Sequence, residues 1–261
     1  MGILNVTPDS FSDGGRYFDL EAAVERAAHM AAEGATIIDV GGESTRPGAS
    51  AVDAAVQIER VVPVIERIAA AHDVAISIDT SSLEVMIAAA AAGACIVNDV
   101  QALRAPGARE WAAAAGVGVC LMHMRGEPRT MQESPEYHDV VGEVGAFLLG
   151  ERAACVAMGI PHEAIALDPG IGFGKRHEHN LALLKNLAHL AALGSPLLVG
   201  VSRKSLIGRV LGRAPLERLY GGLGLAAWAV SMGARVVRTH DVAPTRDAIR
   251  LVGAVMQGEL N

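Results

Sequence analysis

Aromatic side chains are nearly missing from this chain: four Phe, three Tyr and two Trp among 261 residues, 3 % of the total. The core must therefore be aliphatic. With hydrophobic residues at 51 %, there are enough Ala, Val, Ile and Leu to close one without disulfide staples. Cysteine is equally sparse. Cys95, Cys120 and Cys155 are odd in number and show no CxxC spacing, which fits small packing residues in a reducing compartment. Excess positive charge is lacking too. A net charge of −7 and a pI near 5.7 give no general basic field for nucleic acid or an anionic membrane. Long apolar runs do not occur. The longest, VMIAAAAAGACIV (85–97), falls short of the about 20 residues a bilayer span needs. The opening MGILNVTPDSF has neither a basic n-region nor an apolar stretch of signal-peptide length, and Val6 stands where myristoylation wants Ser or Thr. A soluble, cytoplasmic protein is expected, with no nucleic-acid and no membrane partner.

What the chain does have is alternation. Short β-branched runs recur at GILNVT (2–7), TIIDVG (36–41), AISIDT (75–80), CIVNDV (95–100), VGVCLMH (117–123), AIALDP (164–169), LLVGVS (197–202) and RVVRTH (235–240). Their nearly continuous hydrophobicity indicates parallel strands covered on both faces. Between them lie segments with helical spacing, such as 19–34 and 178–194, many stopped by a glycine at 34, 93, 116, 159, 194 or 233. Eight strands and eight helices in strict alternation indicate a (β/α)8 TIM barrel, one domain over 1–261. An open doubly wound sheet is the runner-up.

The polar residues gather at one end of these runs. Asn5, Asp39, Asp79, Asn98, Asp99, His123, Asp168, Lys204, Arg238 and His240 all stand at or just past a strand's C-terminal end. A barrel brings those ends together in one mouth, where barrel enzymes place their chemistry. Asp39 and Asp99 are the members expected to be structural, capping loops or pairing an arginine. Asp79, Asn98 and Asp168 suit a planar heterocycle with adjacent N–H groups. Lys204, Arg238 and His240, on the last two strands, suit phosphate, and Ser205 would open the helix that follows. Two long loops, 5–15 and 41–50, combine Gly, Pro, Ser and Asp. In the first, Asn5 and Asp13 are oxygen donors of the kind Mg²⁺ takes beside phosphate. DPGIGFGK (168–175) fails as a Walker A loop and as GxGxxG, and RHEH (176–179) reads as an exposed polar loop, not a metal site.

NVTPDSFSDGG, IDVGGESTRPG, ISIDT, IVNDV, LMHM, DPGIGFGK, GVSRKS and RTHDV occur in the order and spacing of the bacterial dihydropteroate synthases, and the chain resembles that family from Met1 almost to its end. The resemblance implies a transferase of folate synthesis. It would join 6-hydroxymethyl-7,8-dihydropterin pyrophosphate to 4-aminobenzoate, with Mg²⁺ as cofactor and sulfonamides as inhibitors. It also implies site residues. The pterin pocket falls on Asp79, Asn98, Met122, Asp168, Gly200 and Lys204. The pyrophosphate site falls on Arg46, Arg238 and His240, with Asn5 on the Mg²⁺. The aminobenzoate pocket falls on Phe11, Thr45, Pro47, Phe173, Lys204 and Ser205. Pyrophosphate would leave first, Asp13 would stabilise the cation on the pterin methylene, and the aniline nitrogen would then attack.

Two rivals remain at this stage. A methyltetrahydrofolate methyltransferase barrel could share the Asp/Asn/Asp pocket but has no use for SFSDGG or STRPG. A non-catalytic pterin-binding paralogue would keep the pocket alone. The segment GGLGLAAWAVSMG (221–233) is apolar on most sides; it either packs on the barrel or meets a second subunit, and a homodimer is expected.

Overall fold

A computed structural model describes residues 1–7, 15–44, 52–126, 130, 131, 133 and 135–259. Its strands are β1 Gly2–Asn5, β2 Ile37–Gly41, β3 Ala75–Asp79, β4 Ile96–Asp99, β5 Gly118–Met122, β6 Ile165–Asp168, β7 Leu198–Gly200 and β8 Val236–Arg238. β1 to β6 pair in sequence order, β7 pairs β8, and every pairing is parallel. Single parallel bridges at Leu167–Leu197 and Gly2–Thr239 join the two sheets at both seams. The second seam is held by Ile3 N–H on Thr239 O at 2.9 Å and Thr239 N–H on Met1 O at 3.0 Å. The ring is therefore closed: a TIM barrel rather than an open doubly wound sheet.

The helices are α1 Gly15–Ala32, α2 Ala54–Ala71, α3 Leu83–Ala92, α4 Ala108–Ala115, α5 Val140–Ala157, α6 His177–Lys185, α7 Leu187–Ala191, α8 Ser205–Leu211, α9 Leu219–Ser231 and α10 Val242–Gln257. Eight helices in strict alternation were expected, and ten are present among the described residues. One extra helix comes from a break at Asn186, whose side-chain amide donates to Ala182 O at 2.8 Å and draws the backbone out of the helix that 178–194 suggests. The other is α8, which lies between β7 and α9. RHEH is not a loop either: His177, Glu178 and His179 form the first turn of α6, and His179 Nδ1 accepts the Arg176 N–H at 3.2 Å.

Alternation inside the strands is stronger than their hydrophobicity suggests. Ile38 and Val40, Ile76 and Ile78, Val119 and Leu121, and Ile165 and Leu167 all belong to the main apolar core between strands and helices. The intervening residues Asp39, Ser77, Asp79, Asn98 and Asp168 are buried on the other face, inside the barrel. The aliphatic face stabilises the fold at about 25 cal/mol per Å² buried, while the inner face is left for chemistry. Cys120 and Cys155 are buried as packing residues, but Cys95 is exposed, and all three are free thiols. Among the described residues, no helix is long and apolar enough to cross a membrane.

Candidate active site

Strand register sets the mouth. Asn5 lies beside Gly41, Gly41 beside Asp79 and Asp79 beside Asn98, so β1 to β4 present one row of groups. Across the ring, Met122 pairs with Asp168 and Gly200 with Arg238. Of the sixteen residues picked from sequence, eleven are described: Asn5, Asp79, Asn98, Met122, Asp168, Phe173, Gly200, Lys204, Ser205, Arg238 and His240. All eleven line one cavity at the C-terminal mouth. Phe11, Asp13, Thr45, Arg46 and Pro47 lie outside the described residues.

Arg238 organises one side. Its Nε donates to Asp39 Oδ2 at 2.6 Å and its Nη2 to Asp79 Oδ2 at 2.7 Å. Asn98 Nδ2 reaches the same Asp39 oxygen at 3.0 Å, which fixes the amide with its oxygen left for a donor. Asp39, fully buried, is thus the expected partner of an arginine. Asp99 is the other expected structural acid. It accepts the N–H groups of Gln101 and Leu103 and the Ser81 hydroxyl, holding a turn in which Ala102 and Leu103 take positive φ.

Burial pushes the Asp79 carboxyl up to about 7; Arg238 opposes the shift and Asp39 supports it. Its Oδ1 is buried and has no partner among the described residues. An unsatisfied acceptor at the edge of a cavity is where a ligand's donor gains most. Asp168, also raised by burial, is aimed by the Gly170 N–H on its Oδ1 at 2.7 Å. Lys204 is lowered to about 8 by burial, with Asp168 opposing, and its Nζ lies 4.1 Å from the centre of the Phe173 ring. Val100, Met122, Met124 and Met131 form a small separate apolar cluster with Phe173 packed on it. It gives a flat ring an aliphatic wall beside the polar row.

Ser202 stands on the rim of the site, with a role that the sequence does not assign. Its hydroxyl meets His240 Nδ1 at 3.0 Å and takes the His240 backbone N–H at 3.2 Å, so it orients the imidazole. Lys175 was set aside with the failed phosphate-loop motifs. It is 2 % exposed, lowered to about 7 by burial, and surrounded by four acceptors. A lysine inside a run of glycines with no acid beside it was the available signal. The arrangement offers paired acceptors and an ammonium for a polar ring, next to an arginine and a histidine for an anion.

Comparison with known proteins agrees with this chemistry. Residues 1–240 match the family described as pterin binding enzyme. The whole chain is 52 % identical to the dihydropteroate synthase of Escherichia coli K12 over 261 residues, 93 % of that protein. The Yersinia pestis dihydropteroate synthase, solved with a sulfonamide drug complex, superposes with a TM-score of 0.93 at 47 % identity, covering 98 % of this chain and 94 % of that one. The Xanthomonas albilineans dihydropteroate synthase in complex with 7,8-dihydropteroate gives a TM-score of 0.89 at 45 % identity, covering 98 % and 92 %.

Proposed function

The chain belongs to the pterin binding enzyme family, among its dihydropteroate synthases, and we propose how its own side chains make 7,8-dihydropteroate and pyrophosphate from 6-hydroxymethyl-7,8-dihydropterin pyrophosphate and 4-aminobenzoate. The observation that carries this division of labour is the convergence of Asp79, Asn98, Asp168, Lys204 and Arg238, from five strand ends, on one cavity.

Asp168 and Asp79 take the pterin's amino and ring N–H donors, and Lys204 faces its opposite edge. Arg238, His240 and Arg46 hold the pyrophosphate. Phe173, Lys204 and Ser205, with Phe11, Thr45 and Pro47, receive the aminobenzoate or a sulfonamide. The C–O bond to pyrophosphate breaks first. Asp13 stabilises the methylene cation, and the aniline nitrogen then forms the C–N bond and loses a proton. Rate comes from positioning and fixed charge, without a covalent enzyme intermediate. Among the described residues, no three His, Cys, Asp or Glu side chains could hold a metal. That suits Mg²⁺ arriving with the pyrophosphate, since this ion keeps phosphate and water oxygens and needs only one or two from protein. Asn5 is the residue that would hold it, and when bound it neutralises charge on the leaving group. One barrel domain in the cytoplasm accounts for the activity. The exposed Tyr220 of α9 and Leu251 and Val255 of α10 support a homodimer.

The decisive assay incubates the protein with both substrates and Mg²⁺ and detects dihydropteroate by mass. Product is expected, and its loss in EDTA is expected. No product would refute the function, and undiminished turnover in EDTA would remove the metal. Affinity should also depend on pH. Pterin donors need the ionised Asp79, whose carboxyl sits at about 7 instead of 3.8 in the unliganded protein. Protonated Asp79 must lose its proton to bind, so calorimetric affinity should be flat above that value and fall about tenfold per pH unit below it. A level profile from pH 5.5 to 8 would remove Asp79 from the pocket.

A further inference from the structure

The β6–α6 segment, residues 169–176, carries Phe173 at its apex, and its carbonyls are captured almost one by one. Lys175 Nζ lies 2.9 Å from Gly170 O and 3.0 Å from Phe173 O within its own loop. The same nitrogen lies 3.2 Å from His123 O and 3.0 Å from His123 Nδ1, just past β5. Tyr137 donates to Gly174 O at 2.8 Å, and Asn180 to Arg176 O at 2.9 Å. The approach is too close for side chains: a Cβ on Gly170 would stand 2.0 Å from His123 O, and one on Gly174 2.3 Å from Arg125 O.

We propose that Lys175 is a positioning residue for the aminobenzoate subsite: by tying the Gly170 and Phe173 carbonyls to His123, its side-chain nitrogen fixes the Phe173 ring against Lys204. The inference rests on the reading of Phe173 and Lys204 as walls of that subsite. It concerns one half of the site because the two halves are anchored differently. Asp168 belongs to β6, paired with Met122 and bonded through its carbonyl to the His123 N–H at 3.0 Å. Among the described residues, the Phe173 backbone is held by a turn bond from its N–H to Gly170 O at 3.0 Å and by the lysine on its own carbonyl, while its ring packs on the methionine cluster. Without the Lys175 nitrogen, three carbonyls and an imidazole nitrogen face one another in a buried space and the turn must open. His123 is suited to accept. Burial and the neighbouring Lys175 lower it to about 3, so the ring is neutral; the Lys175 nitrogen, a donor facing Nδ1 at 3.0 Å, selects the tautomer with the lone pair there, and Phe147 packs edge-on at 4.9 Å to hold the ring.

The test compares Lys175→Met, His123→Leu and Phe173→Ala in the full chain. Lys175→Met should raise KM for 4-aminobenzoate and the sulfonamide inhibition constant together by about tenfold, since sub-ångström to ångström displacement of a wall has effects of that order. The kcat and the calorimetric Kd for the pterin substrate should stay within about twofold. His123→Leu removes one acceptor of four and should move the same two constants in the same direction, by a smaller factor. If Lys175→Met does not fold, His123→Leu decides. A uniform loss in all four parameters, or an unchanged KM, overturns the role. Phe173→Ala separates the premise from the inference. If it leaves KM for 4-aminobenzoate unchanged, the subsite assignment fails. If it raises KM and the Lys175 and His123 variants do not, the positioning role alone fails.

Discussion

Replacing Arg238 with methionine is expected to lower folding stability by about 3–5 kcal/mol at pH 8 and turnover by at least about a hundredfold. The guanidinium is the partner of two buried carboxylates at once, Asp39 at 2.6 Å and Asp79 at 2.7 Å. Its removal leaves two like charges on the inner wall of a barrel. Asp79 can escape by taking up a proton, the more readily because Arg238 no longer opposes the upward shift of its carboxyl, so the loss should shrink as pH falls toward 6. Adding Asp39→Asn to Arg238→Met should restore much of the stability and none of the turnover, because a neutral amide can still accept from Asn98 but the guanidinium proposed for the pyrophosphate stays missing. Urea unfolding of the two variants against the parent checks the stabilities, and the product assay checks the turnover. A parent-like midpoint for Arg238→Met would mean the three side chains are not the coupled unit described.

The second large effect concerns Asp168. Its Oδ1 is committed to the Gly170 N–H. An asparagine there can keep that bond only by turning its oxygen to Gly170 and its NH₂ to the cavity, where the pterin also presents donors. Two donors then face each other. Asp168→Asn should weaken pterin binding by about 2–3 kcal/mol, or roughly 30- to 150-fold. Stability should not follow. Burial raises the Asp168 carboxyl above its ordinary value, so its ionised form is disfavoured in the folded state, and a neutral replacement relieves that. The expected outcome is a large loss of calorimetric affinity at an unchanged or higher Tm. Unchanged affinity would refute the pocket.

The barrel was legible in the chain because every strand is a compact β-branched run and helices end at glycines. Gly34, Gly93, Gly116, Gly159, Gly194 and Gly233 all take positive φ, between 67° and 122°. The helix count was not legible, because one asparagine at 186 inside good helical spacing breaks a helix through its own side chain. The acids and bases of the mouth were visible as polar residues closing apolar runs. Their partnerships were not: Arg238 reads as an anion site, and nothing in RVVRTH tells that two carboxylates from β2 and β3 already hold it. Lys175 was missed for a related reason. Its partners are backbone carbonyls, which every sequence has and none advertises.

The clasp on Arg238 also has a bearing on how the chain assembles. Sequence separations of 199 and 159 residues lie between this arginine and its two acids. An early intermediate containing only the first six strands would hold Asp39 and Asp79 with no cation to meet them. Such a half-ring is penalised electrostatically until β8 docks, and that penalty disfavours its lingering as a trapped species. The guanidinium proposed to hold the leaving anion would thus first serve as the latch that completes the ring.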